Sequence, residues 1–196
     1  MAPSDPPTPR PEPGSLLVAG PSLEDPNFHR TVVALLAFGP EEGALGVVLN
    51  RPNEVPVAAL LPGWEALAAE PMSVFVGGPV ARDNVICLAE MLPTAAAGFD
   101  GCSPVVGIDG LATLDLNRPV VDMSPGVARV RLFSGYAGWG KGQLEGELDA
   151  GGWIVVPGRL DDAFTGGPNT LWRRVLARQG GTIAMYANAP PNLSMN

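Results

Sequence analysis

Apolar residues along this chain gather in short runs punctuated by Gly, Pro, Asn and Asp, the pattern of strands rather than of long helices. Nine runs predict strands: Ser15 to Ala19, Thr31 to Phe38, Ala44 to Asn50, Ser73 to Val76, Asn84 to Ala89, Pro104 to Ile108, Ala128 to Ser134, Trp153 to Val156 and Thr182 to Tyr186. Several are apolar throughout instead of alternating, so both of their faces should be covered, partly by helices. Helical spacing is rarer. Asn169 to Arg178 places Leu171, Trp172, Val175 and Leu176 on one face, with Asn169 as N-cap and Gly180-Gly181 as the stop. Gln143 to Asp149 carries Leu144 and Leu148 one turn apart and is closed by Gly151-Gly152. Pro56 to Leu61 and Trp64 to Ala69 predict two short packing helices broken apart by Pro62-Gly63. The segment order is irregular and shows no repeat, which predicts an α+β fold in a single domain, with a doubly wound sheet as the alternative.

Composition narrows the classes of chemistry open to the chain. Six prolines in the first 13 residues predict a solvated, disordered tail over 1–13 and a folded domain over 14–196. That tail has no apolar core of a secretory signal, and no run approaches the roughly 18 residues of a membrane span. A cytoplasmic protein is expected. A single His and two Cys exclude a multi-histidine or four-ligand structural metal site, and no metal or cofactor is expected. Of 12 basic residues only Lys141 is a lysine, and the net charge of -8 argues against bulk binding to nucleic acid. The densest basic group, Arg173, Arg174 and Arg178, is read as complementing a helix macrodipole rather than as a phosphate site. Cys87 in an apolar run and Cys102 in a loop are read as two free thiols in a reducing compartment.

Special residues concentrate in Phe133 to Glu147, FSGYAGWGKGQLEGE. Gly135, four residues, then Gly140-Lys141 matches the start of a phosphate-binding loop, but Gly142 stands where a magnesium-binding hydroxyl is needed, so that reading fails. The segment is expected instead to be a tight turn with several left-handed residues, holding Tyr136 and Trp139 between them, whose backbone N–H groups form a shallow anion cradle. Gln143 and Glu147 share a helix face opposite Leu144 and Leu148 and are expected to face solvent or a cleft. Glu24-Asp25 and Asp161-Asp162 read as turn or helix-start residues. His29 abuts Arg30 and lacks a nucleophile elbow, which argues against a catalytic triad. Gly77-Gly78-Pro79 reads as a turn, and Arg51, at the end of a strand beside Asn50, is expected to pair with a carboxylate within the fold.

GSLLVAGPSLEDPNFHRTVV at 14–33, EGALGVVLNRP at 42–52, FVGGPV at 75–80, GYAGWGKGQLEGEL at 135–148 and the Asn196 end together resemble the YqgE/AlgH family of bacterial proteins. The resemblance implies a compact α+β domain with a curved mixed β-sheet and a few packed helices, and neither an established enzymatic activity nor a cofactor. Some relatives are described as transcriptional regulators of alginate synthesis, yet the sequence carries no helix-turn-helix signature. Gly39 stands where relatives often have histidine, and Lys141 where they often have another residue. Asn50, Arg51, Gly77, Gly78, Gly135, Tyr136, Gly138, Trp139, Gln143 and Glu145 match the family motifs and are the candidate ligand-binding residues.

The expected function is that of a noncatalytic binding or regulatory protein that recognises a small anionic ligand or a protein partner at this segment. Trp139 and Tyr136 would supply an apolar wall, and Gln143 and Arg51 directional hydrogen bonds. The alternatives are a hydrolase or transferase using Glu145 or Glu147 as base, and a regulator that contacts DNA directly.

Overall fold

The structure, a computed structural model, describes residues 9–95 and 100–190. Ten strands, β1 (Ser15–Ala19), β2 (Val32–Gly39), β3 (Gly43–Val48), β4 (Pro52–Pro56), β5 (Ser73–Val76), β6 (Val80–Met91), β7 (Cys102–Pro104), β8 (Leu111–Leu114), β9 (Val127–Trp139) and β10 (Trp153–Pro157), form one curved sheet. Its main path runs β10-β1-β2-β3-β9-β6-β8-β7, and β5 joins β4 to β9. All pairings are antiparallel except β5 with β9, so the sheet is mixed. Among the described residues the α-helices are α1 (Val57–Leu60), α2 (Val120–Met123), α3 (Gln143–Asp149), α4 (Leu160–Ala163), α5 (Pro168–Ala177) and α6 (Gly181–Tyr186). The α+β class and the single compact domain agree with the sequence expectation.

The apolar runs of β1 to β3 are buried on both faces because alternate residues enter different cores. Leu16, Val18, Val32 and Ala34 face the α5 side, where Leu171, Trp172, Val175 and Leu176 close the largest core. Leu17, Ala19, Val33 and Leu35 face the opposite side, toward Leu144 of α3 and the indoles of Trp139 and Trp153. A third core, around Val130 and Leu132 of β9, is closed by Val57, Trp64 and Met123.

Long β9 organises the sheet by changing partners. Phe133 and Ser134 pair with β5, whereas Ala137 to Trp139 pair with β3. Gly135, at φ +70°, lies at the switch. Here glycine is required by close backbone approach: a Cβ on Gly77 would stand 2.3 Å from the Gly135 carbonyl oxygen, and one on Gly78 2.1 Å from the Tyr136 carbonyl carbon. The candidate-site glycines 77, 78 and 135 therefore interlock main chain against main chain.

Several expectations are corrected. Thr182 to Tyr186 belongs to a helix, α6, because Gly180 starts a new turn whose carbonyl receives the Ala184 N–H, and β-branched composition does not override that local bonding. Only Pro104 of the run Pro104 to Ile108 is in a strand; Ile108 donates to Val105 in a turn. Trp64 to Ala69 contains a single 3₁₀ turn, Glu65–Leu67. Strands β4 and β8 and helices α2 and α4 were not expected. Residues 1–8 of the proline-rich tail and the Asn196 end lie outside the described residues.

Candidate functional site

The segment Phe133 to Glu147 is not one tight turn. Residues through Trp139 continue β9, and only Gly140 to Gly142 turn, before α3 begins. Gly142, at φ +71°, has the left-handed backbone expected of that turn. Paired strand where a phosphate-binding loop would have to curl removes that reading on geometric grounds as well. Gln143 closes the turn by accepting the Gly140 N–H on Oε1 at 3.0 Å. Lys141 is tied to Glu41 across the β2–β3 hairpin.

From this turn a polar and aromatic knot is built. Glu147 Oε2 accepts the indole N–H of Trp139 at 2.9 Å and that of Trp153 at 2.8 Å, while Oε1 accepts Gln143 Nε2 at 3.0 Å. The two indoles meet edge to face at 5.8 Å, and Phe28 stacks on Trp139 at 6.1 Å and meets Trp153 edge-on at 5.3 Å. Gln143 and Glu147 thus share a face as expected, but Glu147 turns inward to the tryptophans. With three N–H donors on its carboxylate, Glu147 ties α3 to both tryptophans.

The ten candidate residues do not converge on one point. Asn50 is spent within the chain, Oδ1 accepting the Val32 N–H at 3.0 Å and Nδ2 donating to the Arg30 carbonyl at 2.9 Å. Arg51 donates to the His29 carbonyl at 2.8 Å, not to the carboxylate expected of it. Glu145 lies half-buried in the first turn of α3. Tyr136, Gly138 and Trp139 do come together, on the wall of an open groove of about 550 Å³ beside the β2–β3 hairpin. Phe38, Leu45 and Val80, with Ala37 and Ala44, complete its apolar lining, and among the described residues Glu42 is the one charged residue on it.

Arg131 gave no motif signal. Its side chain is 1% exposed, and Nη1 donates to the carbonyls of Ala163 at 3.1 Å and Thr165 at 2.9 Å while Nη2 reaches that of Glu70. The guanidinium lies 4.4 Å from the Phe75 ring centroid. Burial, and secondarily Arg129, pushes its pKa down to about 10. Only the alternation of β9 could have found it, since Arg131 shares the inward face of Phe133.

Both thiols are free. Cys87 and Cys102 lie in register with Leu114 from its two sides, two strand spacings apart and beyond disulfide reach. Burial foremost raises both pKa values, and Arg118 opposes the rise at Cys102. Among the described residues no group of three or more His, Cys, Asp or Glu gathers to hold a metal, and no helix is long and apolar enough to cross a membrane.

Known proteins match over nearly the whole chain. The AlgH-like family profile matches residues 16–184. A UPF0301 protein of Streptomyces coelicolor is 48% identical over 186 residues, covering 93% of this chain and 94% of the relative. One from Thermobifida fusca is 42% identical over 187 residues, with the same two coverages of 93% and 94%. Among solved structures, a Corynebacterium diphtheriae protein superposes with a TM-score of 0.86 at 28% identity, covering 92% of this chain and 94% of that one. The solution structure of AlgH from Pseudomonas aeruginosa gives 0.66 at 26% identity, covering 93% and 97%. The chain belongs to the AlgH-like family.

Proposed function

We propose that this is a noncatalytic cytoplasmic binding protein that takes an apolar segment of a protein partner in the groove between the β2–β3 hairpin and the end of β9. The observation that carries the reading is the lining: Phe38, Leu45, Val80, Tyr136 and Trp139 surround about 550 Å³ with Glu42 as the only charged residue among the described residues. A carboxylate on the rim disfavours a small anion there and favours an apolar side chain flanked by a basic one. Three donors on the Glu147 carboxylate weigh against that residue as the base of an enzyme, and the net charge of -8 weighs against direct contact with DNA. Two thiols held protonated by burial suit a reducing compartment.

A photoreactive amino acid at Val80, which is 38% exposed on the groove, tests the proposal against one at Val106, which is 71% exposed and does not line it. Irradiation in cells should give a discrete protein adduct from position 80, absent from position 106 and lost when Tyr136→Glu adds charge to the wall. Equal labelling from both positions, or no adduct at 80, overturns the reading.

A further inference from the structure

We propose that the partner segment taken by the groove is an extended strand that pairs, main chain to main chain, with β9 at Gly138. The proposal rests on the groove reading above and adds to it how the segment is held.

Strand β9 runs on past one of its partners. β6 pairs with it as far as Val80 opposite Tyr136, and beyond that point Ala137, Gly138 and Trp139 pair, among the described residues, with β3 alone. The alternation of β3 shows which of these three turns its polar groups to the open side. The Leu49 N–H donates to the Val32 carbonyl of β2, whereas the Val48 N–H donates to the carbonyl of Gly77, whose own N–H donates to Ser134 of β9. Backbone groups two residues apart in a strand point the same way, so Ala44 and Gly46 turn theirs toward β9, in register with Trp139 and Ala137. Gly138, between those two, therefore turns its N–H and C=O away from β3, into the line that β6 leaves after Val80. It is also exposed.

The other margins of the sheet are guarded. β4 lies between Pro52 and Pro56, and β7 ends in Pro104. In β10, Trp153, Val155 and Val156 are buried, and Pro157 ends the strand with its carbonyl taken by Arg178. Prolines, short strands and covering elements are the means by which a sheet avoids pairing with another chain. The end of β9, Tyr136-Ala137-Gly138-Trp139, has neither a proline nor a charge.

The surroundings of Gly138 state the chemistry of the occupant. Without a side chain, Gly138 lets a second main chain come close. A Cβ there would stand 3.2 Å from Tyr136 Cε2 and 3.9 Å from Val80 Cγ2, so the partner residue opposite Gly138 meets apolar neighbours. Glu42 on the lining sets the sign of the flanking charge. The segment is thus a strand with an apolar side chain at the pairing position and a lysine or arginine near it, held in the manner of strand addition to a sheet edge.

Amide hydrogen exchange of the purified full chain tests the open edge. The Gly138 N–H should exchange about tenfold or more faster than those of Ala137 and Trp139, and equal protection would overturn the proposal. Gly138→Pro then removes the outward donor, and it should fold as the parent does, since proline is tolerated where a strand N–H faces outward. Failure to fold would mean that this N–H is used within the chain, which also overturns the proposal. With the photoreactive residue at position 80, Gly138→Pro should cut the partner adduct in cells about tenfold, while Gly138→Ala, which keeps the N–H, should retain roughly half of it or more. An undiminished adduct in Gly138→Pro would overturn strand pairing and leave the groove reading standing. Equal loss in both variants would show that bulk at 138 matters and the N–H does not, with the same consequence. No adduct from the parent chain would overturn the groove reading, and this proposal with it.

Discussion

Helices α5 and α3 close opposite faces of the same strands, one with hydrocarbon and the other with a carboxylate. Ten-residue α5 buries Pro168, Leu171, Trp172, Val175 and Leu176, an apolar area to which polar ties such as the Trp172 indole N–H on the Ala19 carbonyl are added. Seven-residue α3 fully buries Leu144 alone. Apolar contact is non-directional, so so small a patch leaves the helix free to slide or rotate. Glu147 supplies the missing direction by gripping the indoles of Trp139 and Trp153 at once. A short element is thereby fixed by hydrogen-bond geometry where a long one is fixed by area.

The largest effect should come from the dry face. Leu171→Ala removes a side chain with no exposed area from the centre of the largest core and should cost about 2–5 kcal/mol in urea unfolding, with the slope unchanged. A cost under about 1 kcal/mol would mean that α5 collapses into the space, and the claim that buried area is its main hold would fail.

On the other face, Glu147→Ala leaves two indole N–H groups without their acceptor and should cost about 2–4 kcal/mol, far more than an exposed helical glutamate. Near-UV circular dichroism should change with it, because the crossed indoles lose their common anchor. Glu147→Gln keeps one carbonyl oxygen for the tryptophans but turns an NH₂ toward Gln143 Nε2, and a loss of about 1 kcal/mol is expected. Equal stability of all three proteins would show that packing, not the carboxylate, fixes α3.

The same contrast explains what could be read in advance. The 3.6-residue spacing of Leu171, Trp172, Val175 and Leu176 is written in the chain itself, as are the doubly buried runs of β1 to β3. The knot was not legible, because Trp139, Glu147 and Trp153 meet through a turn, a helix and a strand, and no local period links them. Candidate glycines 77, 78 and 135 were placed in turns for their conformational freedom, whereas the structure uses their missing side chains to let two main chains touch. Tyr136, Gly138 and Trp139 line a groove whose other wall, the β2–β3 hairpin, no local pattern of β9 announces. Arg30 lies over the ring of Trp172, 142 positions away, an interaction that only tertiary structure creates.

Two glycines of the α3 region give the smallest and most discriminating test. A Cβ on Gly142 or on Gly146 would meet nothing within 4 Å, so sterics with neighbours cannot separate them. Their backbones do. Gly142 sits at φ +71°, where an L side chain costs about 1–2 kcal/mol, and Gly142→Ala should lower stability by that order. Gly146 lies inside α3 with no positive φ, where alanine both favours the helix and restricts the unfolded chain, so Gly146→Ala should raise stability by about 0.5–1 kcal/mol. For a domain of this size that is a rise of about 1–4 °C in the thermal midpoint. Should Gly146→Ala instead destabilise, α3 must need the freedom of glycine one residue before Glu147 to bring that carboxylate under both indoles, and the hydrogen-bond geometry would be setting the helix rather than only orienting it.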